Sequence, residues 1–368
     1  DPFADAPLAR AVPATESQKE IWLAASIEPA ASLAYNESVT LELHGPLDAN
    51  ALRRALQAVL DRHEALRGTL SADGEQFCIV AEAELPFVER DLSSFDEAGR
   101  QAAIAETLRR VVETEFDLAK CPMLRCELLR LSAEDHLLIL STHHIVCDGW
   151  SLGVIVRDLA ALYAIGCEAS GHALPAADSF ADFAEEEARH PLSAEFRADE
   201  SYWLSRFTDL PEPLELPVDR SRPRQRSFAS QREDLTLDAE LVSAIKRVGA
   251  SKGASLYAIL LASFGVLLQR LAGQDDLVIG IPSAGQSGTG RPGMVGHAVN
   301  VLPVRINFDP AVSFADTLSG VRSHLLDAFE HQRYTFGTLL RRLAMARDPG
   351  RLPLVSVLRS EERRVGKE

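Results

Sequence analysis

The spacing of apolar and polar residues divides the chain into elements. "SVTLELHG" alternates with a period of two and puts Val39, Leu41 and Leu43 on one face of a strand. The next run, "PLDANALRRALQAVLDRHEALRGTL", changes to a helical period, with Leu52, Leu56, Val59 and Leu60 as its apolar stripe. Ahead of both, Thr15 in "TESQKEIWLAAS" can cap a helix, and Gln18 three residues on completes a capping box. A helix over 100–115 precedes "FDLAKCPMLRCELLRLS", a strand entered through a proline. "HLLILSTHHIV" is apolar almost throughout, as in a buried strand, and "SLGVIVRDLAALYAIG" is the helix after it. The first half therefore reads α, β, α, α, β, β, α.

Region 168–230 is built differently. "SGHALPAADS", helices around "FADFAEEEARH" and "AEFRADESYWLSRF", and the proline-rich "LPEPLELPVDRSRPRQRS" read as a crossover between two parts. A second half follows: strand "QREDLTLD", helix 239–249, the long helix "SLYAILLASFGVLLQRLAG" and strand "DLVIGIPSAG". A Gly-rich loop, strand "HAVNVLPVRIN", helix 313–330 and "HQRYTFGTLLRRLA" complete it. The halves share a broad element order without a residue-level repeat. "PLVSVL" reads as a strand starting at Leu354, cut short by the charged, aperiodic "RSEERRVGKE". Arg359–Glu368 is therefore set apart as a non-native tail, and the second half is expected to lack its last strands. The divisions expected are 1–175, 176–358 and the tail 359–368.

Length and composition fit this picture. At 368 residues the chain exceeds one ordinary core, and 46% apolar with 25% charged residues is a globular balance. The net charge of −16 argues against nucleic acid or an acidic membrane as partner and reads as an aid to solubility. Five cysteines, an odd number with no CxxC, argue against a disulfide framework and against a zinc site; no metal is expected. Reduced thiols fit a cytoplasmic protein. No run reads as long enough to span a membrane, the N-terminus lacks a signal-like apolar core, and a chain opening on Asp1 reads as part of a longer one.

The candidate chemistry sits in "STHHIVCDGWS". Neighbouring strand residues point to opposite faces, so His143 and His144 cannot both serve one site directly. Asp148 and Gly149 turn the chain into a helix, where the aspartate can cap it or pair with an arginine. Two readings stay open on the residues alone. One is a satisfied pair of core histidines beside an N-cap. The other is a general base at a strand end, for which an imidazole with a pKa of about 6.5 is suited. Cys147 reads as a small packed thiol, Arg62 and Arg67 as ion-pairing residues, and Trp22 and Trp203 as packing anchors.

"HHIVCDG" resembles the HHxxxDG signature of condensation domains of nonribosomal peptide synthetases. Further segments resemble the family's other motifs, in order: "TESQKEIWLA", "RHEALRGTL", "FADFAEEE", "IGIPSAGQ" with "VGHAVNVLPVR", "HQRYTFGTLL" and "RDPGRLPLVSV". The resemblance spans 8–358. It implies an α/β (α+β) fold of two chloramphenicol-acetyltransferase-like lobes in a V-shaped pseudo-dimer, the second truncated here. It also implies amide-bond formation between an acyl or peptidyl thioester on an upstream donor carrier protein and the α-amine of an aminoacyl group on a downstream acceptor carrier. No cofactor would be bound; phosphopantetheine arrives on the carriers, and an adenylation domain is the expected neighbour.

In this resemblance His144 is catalytic, as base or as positioner of the amine, and the Gly149 N–H stabilises the oxyanion. His143 is structural, and Asp148 holds the loop by an arginine ion pair, with Arg125 and Arg305 as candidates. Trp150, Ser151, Ser283, His297 and Asn300 are substrate-side candidates. Two departures stand out. Gln286 occupies a position where the family often has arginine, and "GHAV" replaces aromatics near Gly296–Ala298. "GHAVN" resembles condensation domains of mixed polyketide–peptide assembly lines. Asp148-Gly149-Trp150 argues against the epimerase relatives, and the retained histidines against the heterocyclising ones. The competing functions are a catalytically silent docking module for carriers or tailoring enzymes, and an acyltransferase to a small alcohol or amine.

Overall fold

The computed structural model describes residues 7–27, 29–167, 174–224, 227–345, 348 and 350–360. The chain divides into two compact units, Asp1–Pro191 with Gln286–Ala298, and Leu192–Gly285 with Val299–Glu368.

The first unit begins with β1 (Leu8–Pro13), α1 (Glu16–Ile27), α2 (Pro29–Leu33), β2 (Asn36–His44) and α3 (Ala49–Arg62). It continues through β3 (Gly68–Leu70), β4 (Gln76–Val80), β5 (Phe87–Asp91), α4 (Glu97–Glu113), β6 (Leu124–Arg130), β7 (Asp135–His143), α5 (Gly149–Gly166) and α6 (Phe180–Arg189). One sheet has the order β2-β7-β6-β5, with only the β5–β6 pair parallel; a smaller one has the order β1-β4-β3. The capping box on α1 forms as expected: Gln18 N donates to Thr15 Oγ1 and Thr15 N to Gln18 Oε1, both at 3.2 Å. Asp48 caps α3, whose Leu52, Leu56, Val59 and Leu60 stripe is buried. Burying one such side chain removes apolar area worth about 1.5–3 kcal/mol.

Helix α5 corrects one expectation. Among the described residues it is the one unbroken helix whose length and apolarity alone would let it cross a membrane. Its Val154, Ile155 and Leu159 lie in the core. Its Asp158 is buried and accepts from Arg62 Nε at 2.8 Å, with His63 Nε2 3.1 Å away. Arg62 thus forms the expected ion pair, whereas Arg67 donates to the backbone carbonyls of Leu60, Asp61, Val80 and Ala81.

The second unit holds α7 (Ala194–Arg206), α8 (Ala239–Ser251), α9 (Leu256–Ala272), β8 (Asp276–Ala284), β9 (Val299–Asn307), α11 (Phe314–Glu330) and α12 (Phe336–Leu343). A single turn, α10 (Gly285–Gly288), follows β8. Strands β8 and β9 pair antiparallel, and Trp203, Phe308 and Tyr334 anchor a core filled by α9 and α11. "QREDLTLD" is not a strand: residues 229–238 are irregular, with Leu235 87% and Leu237 43% exposed, so among the described residues no strand or core stabilises the alternation. "PLVSVL" forms no strand either, only an isolated bridge between Leu358 and Gly280. Arg359 continues that contact, its N donating to Gly280 O at 2.9 Å and its guanidinium lying 3.9 Å over the Tyr257 ring. The rest of the expected tail, 361–368, lies outside the described residues, as do 168–173 of the crossover.

Residues 176–191, grouped with the second half on composition, pack with the first unit, where Phe180 and Ala181 enter the core. The segment 286–298 does so too, through Met294, Val295 and Ala298. Glycine is required at 296: a Cβ there would lie 2.0 Å from Phe180 Cδ2.

Candidate active site

The histidine pair is set by the β2–β7 ladder. Asn36 lies opposite His143 and Glu37 opposite Thr142, and His144 N extends the ladder by donating to Tyr35 O at 2.8 Å. Adjacent residues then face opposite ways. His143 is fully buried. Its Nδ1 accepts from Ile145 N at 3.2 Å, which leaves its proton on Nε2, 3.3 Å from Ser32 Oγ. Burial pushes its pKa down to about 4, so it is a neutral, satisfied residue.

His144 has the opposite tautomer. Its Nδ1 lies 2.8 Å from Cys147 O. A carbonyl only accepts, so Nδ1 carries a hydrogen, and in the neutral ring the lone pair is on Nε2. Nε2 lies 3.3 Å from Glu37 Oε1, and both side chains are partly exposed. The His297 ring packs edge-on against His144, with centroids 4.6 Å apart. Burial drives the pKa of His297 well below the usual histidine value, and among the described residues its Nδ1 has no hydrogen-bond partner.

The loop that carries His144 is held at both ends. Buried Gln18 donates from Nε2 to Ile145 O at 3.0 Å. Asp148, also fully buried, is the N-cap of α5: its Oδ1 accepts from Ser151 N at 2.8 Å and Ser151 Oγ at 2.7 Å. Its remaining donors come from the 286–298 segment, Gln286 Nε2 at 2.9 Å and Ala298 N at 3.1 Å, both to Oδ2. Gln286 Nε2 also donates to Gly296 O at 3.1 Å, and Gly296 N donates to Ser151 Oγ at 3.0 Å. A neutral amide thus takes the place expected for an arginine. Arg125 instead donates to Thr114 O and Glu115 O and lies 3.7 Å over the Phe116 ring. Arg305 is spent in the second unit on Asp276 and Asp209. Matching charge to charge along the sequence overlooks that several dipolar donors satisfy a buried carboxylate equally well.

The other candidates separate. Ser151 belongs to the Asp148 network rather than to an open surface. Trp150 is exposed and anchored by Nε1 to Pro292 O at 3.0 Å. Among the described residues, no atom beyond Gly149's chain neighbours and its own helix backbone lies within 4 Å of where its Cβ would be, so the glycine borders open space. Ser283 and Asn300 lie in the second unit. Ser283 Oγ donates to Gln332 Oε1 at 2.5 Å, and Asn300 clamps Gln332 O, Tyr334 O and Phe336 N. Cys147 is fully buried, its thiol pushed well up by burial and then by the charges of Glu37 and Asp148, which suits packing and not attack.

Glu37 is the residue that motif reading missed, while Gln18 was read only as half of a capping box and Gln286 only as a departure from the family's arginine. Glu37 left a signal: it falls in phase with Val39, Leu41 and Leu43, an acidic side chain on the apolar face of a strand.

A motif loop fastened through a buried aspartate, beside a histidine with one nitrogen fixed and the other open, agrees with the wider match. The model of the condensation domain matches residues 9–362. The chain belongs to the condensation-domain family. It is 36% identical over 357 residues to a chondramide synthase of Chondromyces crocatus, covering 95% of this chain and 9% of that protein. Tyrocidine synthase 2 of Brevibacillus parabrevis is 34% identical over 348 residues, 94% of this chain and 9% of its own length. The chain thus spans under a tenth of these curated relatives. Among solved structures, the condensation domain of the monacolin K polyketide synthase superposes with a TM-score of 0.84 at 24% identity over 96% of this chain and 81% of that one, a likeness of fold alone. The X-domain of teicoplanin biosynthesis, solved in complex with OxyB, gives 0.79 at 29% identity over 96% and 78%. The condensation domain's mixed α/β fold is therefore that of its family, whose reaction is amide-bond formation by acyl transfer in peptide synthetases.

Proposed function

We propose that this condensation domain joins an acyl or peptidyl thioester on a donor carrier protein to the α-amine of an aminoacyl group on an acceptor carrier, with His144 Nε2 as the base. The observation that carries the reading is the tautomer: Cys147 O holds the proton on Nδ1, so Nε2 presents its lone pair from a partly exposed side chain. His143 and Asp148 hold the loop. At the start of α5 the Gly149 N–H has no carbonyl within the helix to serve, and beside open space it suits a developing oxyanion. Each compact unit corresponds to one acetyltransferase-like lobe. Phosphopantetheine is supplied by the carriers, an adenylation domain is the neighbour in the assembly line, and five free cysteines support a cytoplasmic setting.

The likeness to an X-domain solved in complex with OxyB favours one second reading, a docking module without chemistry. A single experiment separates the two. The protein, an acyl-loaded donor carrier and an aminoacyl-loaded acceptor carrier are mixed, and acceptor-bound product is followed by intact-protein mass spectrometry. Wild type is expected to form product, and His144→Ala to lose about 100-fold or more in rate. Wild-type rates in the variant would overturn the assignment of the base. Carrier binding without product across a panel of acyl groups would favour the docking module.

A further inference from the structure

A strap of the second unit displays arginines that the protein itself does not use. From Pro211 to Arg224 the chain forms neither helix nor strand. Pro211, Pro213, Pro217 and Pro223 hold it extended. The strap is pinned to its unit at both ends. Leu214 is buried in the core and Leu216 packs against it. Gln274 clamps the backbone there, its Oε1 accepting from Glu215 N at 2.8 Å and its Nε2 donating to Pro213 O at 3.1 Å. At the other end the backbone runs so close to Gly350 that a Cβ on that glycine would lie 2.8 Å from Pro223 O.

At this second end stand Arg220, Arg222 and Arg224, all exposed. Among the described residues none of the three makes an ion pair or a side-chain hydrogen bond. The chain does not lack carboxylates, with 54 acidic residues against 38 basic ones. Elsewhere in the same unit Arg305 takes Asp276 and Asp209, Arg342 takes Glu200, and Arg351 takes Glu215. On the strap the three arginines outnumber their neighbour Asp219 and leave a local excess of positive charge on an acidic protein. Alternate residues of an extended chain stand about 6–7 Å apart, and one turn of an α-helix rises about 5.4 Å. The strip therefore matches a row of carboxylates on successive turns of a helix, a longer target than one phosphate group offers.

We propose that Arg220, Arg222 and Arg224 form a docking strip for an acidic helix of a carrier protein. The assignment rests on the proposed reaction, in which carriers are the partners, and adds the surface that meets one of them. Exposed charges raise the rate of encounter and set orientation more than they tighten a complex. That suits a partner that must leave after each transfer. Each guanidinium fork can meet a carboxylate through two parallel hydrogen bonds. The pinned, proline-rich backbone reduces the entropy lost when the strip is engaged. Nucleic acid, another partner of closely spaced arginines, is repelled by the net charge of −16.

The test is binding of the whole domain to a labelled phosphopantetheine-bearing donor carrier and, separately, to the acceptor carrier, by fluorescence anisotropy at low and high salt. The variants are the triple Arg220→Gln/Arg222→Gln/Arg224→Gln and the triple Arg220→Lys/Arg222→Lys/Arg224→Lys. The glutamine triple is expected to bind one of the carriers about tenfold more weakly at low salt and to lose most of the salt dependence of that binding. In the condensation assay its KM for that carrier should rise while kcat and the melting temperature stay unchanged. The lysine triple, which keeps the charge and loses the fork, is expected to recover part of the affinity and the salt dependence. Wild-type affinity of the glutamine triple for both carriers would overturn the strip and leave the condensation reading standing. Wild type that binds neither carrier would overturn both. A fall in kcat with unchanged KM would mark a structural effect and overturn the strip. So would self-association of wild type that the glutamine triple abolishes without change in carrier binding, which would make the strip a contact between copies of this chain.

Discussion

At the scale of single residues, the telling substitution is a neutral one. Asp148 is a carboxylate with no exposed surface, and such a charge persists only if every acceptor site meets a donor. Gln286 Nε2 serves both of its oxygens, at 3.1 and 2.9 Å. Removing that amide leaves the charge buried and short of a donor. Gln286→Ala is therefore expected to destabilise the domain by about 1.5–3 kcal/mol, read as a lower urea midpoint at unchanged slope. Gln286→Glu sets a second carboxylate against the first and is expected to cost more. If Gln286→Glu is as stable as wild type, Asp148 is not held as an anion by this network. Sequence could name Asp148 because the motif fixes it. It flagged Gln286 only as a departure from an arginine and looked for the partner among charged residues, because a glutamine 138 positions away carries no charge to match.

At the scale of elements, legibility followed periodicity. Long runs with a clear period, such as α3, α9, β7 and β9, were readable because one face of each is committed to a core. The short strands β1, β3, β4 and β5 were missed, since three to six residues leave too few repeats to show a period. The expected strand at 231–238 failed for the converse reason: it alternates without a neighbour to pair with among the described residues. The return of 286–298 to the first unit was also beyond a local pattern. It depends on contacts such as Gly296 against Phe180, which join α6 to the segment that supplies Gln286 and Ala298 to Asp148. Gly296→Ala is expected to force these apart, because its Cβ would sit 2.0 Å from the Phe180 ring. The cost should be about 1–3 kcal/mol in melting experiments, with condensation slowed through the displaced segment. Shrinking the ring in the double variant Gly296→Ala/Phe180→Leu should restore part of the lost activity. Additive losses would show that the two residues do not act through this contact.

At the scale of the whole molecule, the first unit carries a liability to acid. His63 and His143 are buried with pKa values pushed down to about 4, and His297 is driven well below the usual value, burial being the main cause in each. Unfolding restores each to about 6.5, so between roughly pH 4 and 6.5 the unfolded chain binds more protons than the folded one. Stability therefore rises with pH through that window. The contribution of these rings is fully present above about pH 6.5 and is lost as the pH falls, at up to about 1.4 kcal/mol per unit for each ring. His44, raised by its hydrogen bond to Asp135, acts in the opposite sense, but it is exposed and screened by solvent. Burial would raise Asp158, but its hydrogen bonds from Arg62 and Arg157 hold it low, and it resists protonation until the pH is below this window. The melting temperature is accordingly expected to drop by several degrees between about pH 7.5 and 5. His297→Phe, which keeps a ring at the site and removes a titrating nitrogen, should make that drop shallower. A wild-type melting temperature that does not change over this range would mean the histidines accept protons without unfolding. Their burial would then not be what keeps the motif loop's neighbours neutral around His144.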